Sequence, residues 1–599
     1  MSADDDRAAS EAPTSIRHWV VFATFCTSVL LYLDRFCMNY AQRYVKEDLG
    51  LDDRHIAWCM SAFFVSYALA QVPSGWLTDL FGARKMLAVY ILVWSFFTAA
   101  MGWAMGLAIL LAVRLGAGLG QAGAYPTAAA IVGHWVPFRR RGLASAVVAF
   151  GGRVGGAAAP ILTAWLVIAS VPGDVPMTLS GPDLLDPLSF SESLTSPDDR
   201  EEELSERDDS KQELTEDERA AVRVAEQLRL SLTADQRAAL LSVSSLPGGE
   251  EERRETATEV LLPIVNGWIQ GPVIGPAEQV EFLPLESEAE SLLEGSQLSD
   301  PERERLNRLI LEAVFPNEVR KLYVHGWRSV MQIYGLLGIV VAAYFFWIVR
   351  NRPDEHPRVN RAEQRVIYGS PAVKPTVQSS RVDRPKLPVR AVLTSRSLWC
   401  LSMVQFGTNV GWVFLVTWLP RYFFEVQRVP FEKRNLIATL VMIGGWAGML
   451  FGGWLTDRLA DQLGRRWGRA LPVCLSRFVG MAAFLFVMLE PSPYTAAALF
   501  ALVAFSTDSG SPAVWAFNQD VGGRYIASVL GWGNMWGNLG AALSTVVLER
   551  IVAYWGWNFA FLTCAFAFFV SGVCGIVVDA TKPIDIVPES GDAETPPET

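Results

Sequence analysis

Charged and amide side chains embedded in long apolar runs are the residues of this sequence best placed to do chemistry. Asp34 and Arg35 lie in LLYLDRFCMNY, Arg114 in ILLAVRLGAGLGQ with Gln121 two turns further on, and Arg153 in VAFGGRVGGAAAP. Even on lenient insertion scales a charge at the centre of a bilayer costs about 2.5–3.5 kcal/mol, so each of these needs a partner or a task. Arginine presents a planar fork that suits a carboxylate or a related anion. Up to three guanidiniums stand against the single carboxylate of Asp34, and the excess positive charge predicts a bound organic anion. The competing reading has Asp34 bridging one arginine while the others reach an interface. It weighs most for Arg35, near the end of its apolar run. The second half offers Asp508 (FSTDSGSPAVW), Asn409, and the Asn534 and Asn538 of GWGNMWGNLGAAL, which serve either as substrate contacts or as hydrogen-bonded helix glue.

These residues need helices to carry them. The chain has 599 residues, 51% of them hydrophobic, with 21 Trp and 32 Phe, too apolar a balance for an ordinary soluble protein. A helix needs about 20 mostly apolar residues to cross a bilayer, and about twelve such runs are present. They fall near 18–38, 56–78, 86–105, 107–136, 142–171, 327–349, 397–420, 434–457, 470–490, 494–518, 527–551 and 556–578. At about 1.5 Å per residue, Asp34, Arg114 and Arg153 share one depth zone in the first half. The glycines around the arginines, such as Gly116, Gly118, Gly120, Gly152 and Gly155, allow close helix approach.

GWLTD occurs at 75–79 and again at 453–457, each time closing the second span of a half and running into basic residues. This internal repeat predicts parallel halves with a site between them. Asp79, facing Arg84 and Lys85, and Asp457, facing Arg458, are expected to form a latch that breaks when the halves rock, unless they are stop-transfer charges. Basic loops at Arg84–Lys85, Arg139–Arg141, 351–396 and Arg465–Arg469 predict that both termini are cytoplasmic.

The expected organisation is a cytoplasmic tail at 1–17, five spans over 18–171, an acidic, partly helical extracytoplasmic insert at 172–325, span six at 326–350, a basic inter-half loop at 351–396, six spans over 397–579 and a disordered cytoplasmic tail at 580–599. Within the insert, EDERAAVRVAEQLRL reads as helix, Thr233 with Gln236 as a capping box, and Asp300-Pro301 as an acid-capped helix start. SPDDREEELSERDDSK reads as disordered. The acid-rich 1–17 segment lacks the basic start and cleavage site of a signal peptide. The seven Cys and five His show no disulfide framework and no metal-ligand spacing.

The twelve spans and GWLTDLFGARK resemble the major facilitator superfamily. Within it, YLDR (32–35), RLGAGLGQAGAYP (114–126), GWR (326–328), NRPDEHPRVNRAEQRVI (351–367) and WLP (418–420) resemble the anion:cation symporter family, which includes the bacterial sugar-acid transporters. The resemblance implies an all-α membrane fold of two pseudo-symmetric six-helix halves. It also implies that Tyr32 and Arg114 contact an organic anion and that Asp34 exchanges protons. Family members commonly have Glu where this chain has Gln121, which cannot titrate. That departure leaves coupling through Asp34 alone, another driving ion, or uncoupled transport.

The sequence therefore predicts a secondary active carrier of the bacterial inner membrane. It would move a hexuronate, an aldonate or another carboxylate, with Tyr32, Arg35, Arg114, Gln121, Arg153, Asn409 and Asn534 around the substrate and Asp34 coupling the ion. Expected partners are a small organic anion, a proton or other coupling cation and the lipid bilayer, with no cofactor, metal or nucleic acid, in a monomeric chain. A transporter-like sensor that uses the insert is the alternative. An enzyme is disfavoured, because the insert holds no nucleophile, metal or acid–base constellation.

Overall fold

The computed structural model describes residues 11–170, 177–195, 216–244, 249–275, 280, 282–283, 285, 287–293, 298–368, 389–429 and 431–584. Among them the secondary structure is helical apart from one isolated antiparallel bridge, Leu184 to Val319. Apolar segments in lipid must satisfy every backbone group internally, and the helix does so within one segment. Among the described residues, ten helical stretches are long and apolar enough to cross a membrane. One of them, Leu436–Val487, runs 52 residues and breaks at Gly464, whose φ of 74° only glycine adopts freely, so it supplies two spans. Ile526–Trp555, 30 residues long and less apolar because it carries Asn534, Asn538, Glu549 and Arg550, completes twelve.

The spans are α1 (Ile16–Asp48), α2 (Asp53–Phe81), α3 (Ala83–Met101), α4 (Leu107–Trp135), α5 (Arg141–Ala169), α6 (Gly326–Ile348), α7 (Arg396–Glu425), α8 (436–463), α9 (465–487), α10 (Pro493–Val521), α11 (Ile526–Trp555) and α12 (Trp557–Val577). Interior prolines at 73, 160 and 512 sit inside α2, α5 and α10, and α7 loosens into a π turn at Phe414–Trp418 just before Pro420. α1 is 33 residues long and extends well past the expected end at 38, so Arg35 lies inside a helix and not near its end.

The chain divides into two compact units. One holds Met1–Asn39, Arg54–Ile161 and Met331–Thr599, and the other Tyr40–Asp53 with Leu162–Val330. In the first, α4 packs on α2 and α3 through glycine. A Cβ on Gly120 would sit 2.7 Å from the backbone nitrogen of Trp94, and one on Gly118 would collide with Ser66 and Phe63 of α2. Gly155 of α5 lies so close to the Val29 backbone of α1 that no side chain fits.

In the second unit the expected helix over EDERAAVRVAEQLRL is present as Glu216–Ser231, and Thr233 and Gln236 exchange the two capping-box bonds, 2.9 and 3.2 Å. The helix Asp300–Val314 is capped one residue earlier than expected, by Ser299 with Glu302 and not by Asp300. The Ser299 hydroxyl and amide both donate to the Glu302 carboxylate, and an aspartate side chain has no proton for the first of these bonds. Phe190 and Phe315 pack at 4.5 Å between centroids with their rings tilted by 44°, and a buried Arg308–Glu312 pair, 2.5 Å apart, also receives the Leu322 amide. Burial raises the Glu312 carboxyl to about 7. SPDDREEELSERDDSK lies outside the described residues, as do 369–388 and 585–599.

Candidate functional site

α1, α2 and α4 bring Arg35 and Arg114 onto one aromatic ring. The guanidinium of Arg114 lies 4.6 Å from the Phe63 centroid and that of Arg35 5.6 Å from the same ring. Arg35 also stacks on Tyr67 at 4.5 Å and on Tyr32 at 4.9 Å, and its Nε donates to Gln121 Oε1 at 3.1 Å. Arg114 Nε reaches the Cys59 carbonyl at 3.3 Å. Both arginines are buried, and among the described residues neither meets a carboxylate; Arg35 Nη2 and Arg114 Nη1 have no hydrogen-bond partner. Gln121 Nε2 is likewise without a partner. Aromatic faces offset part of the cost of burying a cation but supply no acceptor, so the site is short of one anion.

Asp34 stands apart from this cage. Its Oδ2 accepts from Trp94 Nε1 at 2.9 Å and its Oδ1 has no partner, so it is not the bridge to an arginine that the sequence left open. Trp94 had no signal in the sequence beyond its place in an apolar run. Tyr32 packs on Tyr125 at 6.2 Å, and Tyr125 meets Trp515 of α10 edge-on at 5.1 Å, which carries the aromatic wall from the first half into the second.

Arg153 is not part of the unmatched charge. Its Nη2 donates to Asp508 Oδ1 at 2.7 Å across the two halves. The expected excess of three guanidiniums thus falls to the two in the aromatic cage. Arg477 of α9 is fully buried, and its Nη1 donates to the carbonyls of Ser506 and Thr507, 3.2 and 3.1 Å away. Sequence reading passed over it, although it is a charge inside the apolar run of α9. Asn409 and Asn534 lie at the packing of α7 on α11 and not in the cage. Asn409 Nδ2 bonds the Gln405 carbonyl in its own helix, and the Asn534 carbonyl accepts from Asn538.

The two GWLTD aspartates each accept hydrogen bonds from the other half, and their partners are not the basic residues expected. Asp79 accepts from the amides of Ala527 and Ser528, at 3.2 and 2.9 Å, in the first turn of α11. Asp457 accepts from Gly142 and Leu143, at 2.8 and 2.9 Å, in the first turn of α5. Unpaired first-turn amides and the positive end of the helix dipole hold a carboxylate better than solvated basic side chains do. Arg84 instead donates to the Phe346 carbonyl of α6, and Lys85 and Arg458 are exposed. Asp520 of α10 joins the halves a third time, pairing with Arg141 at 2.7 Å and with Arg469 at 2.8 Å. Both had been counted among the basic loop residues, yet Arg469 is fully buried.

Among the described residues, twelve spans in two repeated halves, joined by aspartate–amide bonds and enclosing buried arginines without carboxylate partners, define a multi-pass membrane transporter. Residues 24–181 and 322–545 match the model of the Major Facilitator Superfamily, and the chain belongs to that family. It is 20% identical over 547 residues to the probable sulfoacetate transporter SauU of Cupriavidus necator, covering 90% of this chain and 87% of the relative. It is 21% identical over 571 residues to the probable galactarate/D-glucarate transporter GudP of Escherichia coli, covering 93% and 92%. A stretch of 139 residues, 22% of this chain and 30% of the relative, is 38% identical to the protein of that name in Bacillus subtilis. Among solved structures, the Escherichia coli fucose:proton symporter FucP aligns with a TM-score of 0.52 at 12% identity, over 93% of this chain and 98% of that one, a likeness of fold.

Proposed function

We propose that the chain carries a small organic anion, a sugar diacid or another carboxylate or sulfonate, across the bacterial inner membrane by alternating access. The insert would lie outside the cytoplasm, and both termini inside. The observation that carries this reading is the Arg35–Arg114 cage: two buried guanidiniums on one phenyl ring, each with an unused N–H and no carboxylate partner. Tyr32 and Gln121 border the anion, and Asp34 is the group available to couple a cation. The names of the relatives, which concern galactarate, D-glucarate and sulfoacetate, support the anionic class.

Uptake of labelled galactarate, D-glucarate and sulfoacetate by proteoliposomes tests the proposal. We expect saturable uptake of at least one, displaced by unlabelled organic anions and not by neutral polyols. Absence of uptake and of exchange for all three, in protein that is folded, would remove the anion assignment.

Coupling has its own test. Gln121→Glu places a titratable group at the atom that now accepts from Arg35. Uptake by this variant should depend more steeply on an inward proton gradient than uptake by the wild type. An unchanged pH profile and an unchanged proton stoichiometry would argue against position 121 as a coupling point.

A further inference from the structure

The ion pair between Arg153 and Asp508 has a different character from the cage. It joins α5 of the first half to α10 of the second at 2.7 Å, and the two side chains are 19% and 8% exposed. It borders a small cavity whose walls include Trp412, Trp446 and Thr507, and Arg153 lies within electrostatic range of Tyr32 and Tyr125. Behind Asp508 stands Arg477, fixed by its bonds to the Ser506 and Thr507 carbonyls of the same helix and within electrostatic range of the Asp508 carboxylate. Asp508 is therefore flanked by one cation locked in its own half and one cation from the other half that can be approached from the cavity.

This arrangement keeps the charge balanced in two ways. With nothing bound, Arg153 is neutralised by Asp508. With an anion on Arg153, Asp508 turns to Arg477 and stays neutralised. Removing a buried pair's partner without replacement leaves a charge uncompensated in a poor solvent, and such states are strongly disfavoured. An empty carrier that has released its anion meets this problem at Arg153 each time it returns.

We propose that Asp508 is an internal counter-ion that replaces the transported anion on Arg153 while the carrier resets empty. The inference rests on the anion-carrier reading above, extended by one contact: the anion held by the Arg35–Arg114 cage also reaches Arg153, whose neighbours Tyr32 and Tyr125 border Arg35 as well. Asp508 acts through Arg153 and does not itself hold the substrate.

The test separates two modes of transport in proteoliposomes. Exchange of labelled for unlabelled anion needs only the loaded carrier to reorient, whereas net uptake and net efflux also need the empty one to return. Asp508→Asn should keep exchange within about threefold of wild type, with half-saturation at lower anion concentration because a competitor is gone. Net uptake and efflux should fall by about tenfold or more. Asp508→Glu should restore net transport. Parallel loss of both modes in Asp508→Asn, or no loss of either, would overturn the proposal. If Asp508→Asn fails to fold, Arg477→Gln decides: the loaded carrier then has no cation to take over Asp508, so half-saturation of exchange should rise by about tenfold. An unchanged half-saturation in that folded variant overturns the proposal. Wild-type protein that shows neither mode with any anion would instead sink the underlying reading.

Discussion

Arg114→Ala abolishes anion uptake while the carrier remains folded and at least as stable as the wild type. The two parts of this expectation come from the same fact. Arg114 is buried, has no carboxylate partner and leaves one nitrogen unused. Truncating one side of a desolvated, charge-paired contact costs binding about 2–5 kcal/mol, which at about 1.4 kcal/mol per decade is roughly 30- to 4000-fold in affinity. The folded protein, by contrast, loses a buried charge that no carboxylate neutralises and that the Phe63 face and the Cys59 carbonyl offset only in part, so relief of that burial outweighs the lost contacts. Arg114→Lys should not rescue uptake, since an ammonium lacks both the fork and the flat face that lies on Phe63. Thermal unfolding with and without galactarate reads both parts: the variant should unfold at or above the wild-type temperature and show no ligand-induced shift. A variant that unfolds earlier and still binds would assign Arg114 to structure.

The second large effect belongs to Asp520. It accepts Arg141 from the first half and Arg469 from the second, and its side chain is 1% exposed. Asp520→Ala leaves both arginines without their carboxylate, and loss of one partner of a buried pair costs about 3–5 kcal/mol. That cost falls on the state in which this end is closed, because opening hydrates Arg141 and Arg469. The population should therefore shift toward opening at this end by two orders of magnitude or more. Hydrogen exchange of the first turns of α5 and α11 reads the shift, since those amides bond Asp457 and Asp79 only while the end is closed. Unchanged protection of both turns would show that Asp520 contributes nothing to the latch.

Much of this site was legible in the chain. Arg35, Arg114 and Gln121 announced themselves as polar residues in apolar runs, and a helix fixes how far along the membrane each one lies. The repeated GWLTD gave the two halves and marked both latch aspartates. What could not be read was which residues meet. Asp508 pairs with Arg153 from 355 residues away, and no local pattern carries that distance. The competing reading has Asp34 bridging one arginine, but the side chains of Asp34 and Arg35 leave the helix in different directions, one toward Trp94 and the other toward Tyr67. Arg469 looked like a loop charge because basic residues gather where helices end. Its burial depends on Asp520, which sits in the last turn of a different span.

The two aspartates of the repeated motif cap each other's halves: Asp79 of the first half closes α11 of the second, and Asp457 of the second closes α5 of the first. Reciprocity of this kind, in which patch i meets patch j and j meets i, is what an isologous dimer interface looks like. The chain thus holds within one polypeptide the contact that two copies of a half-length protein would make about a two-fold axis. Alone, each half would begin its fifth span without the carboxylate that the other half supplies to its first-turn amides. Expressed as separate fragments, the halves should assemble with each other before either is stable in the bilayer.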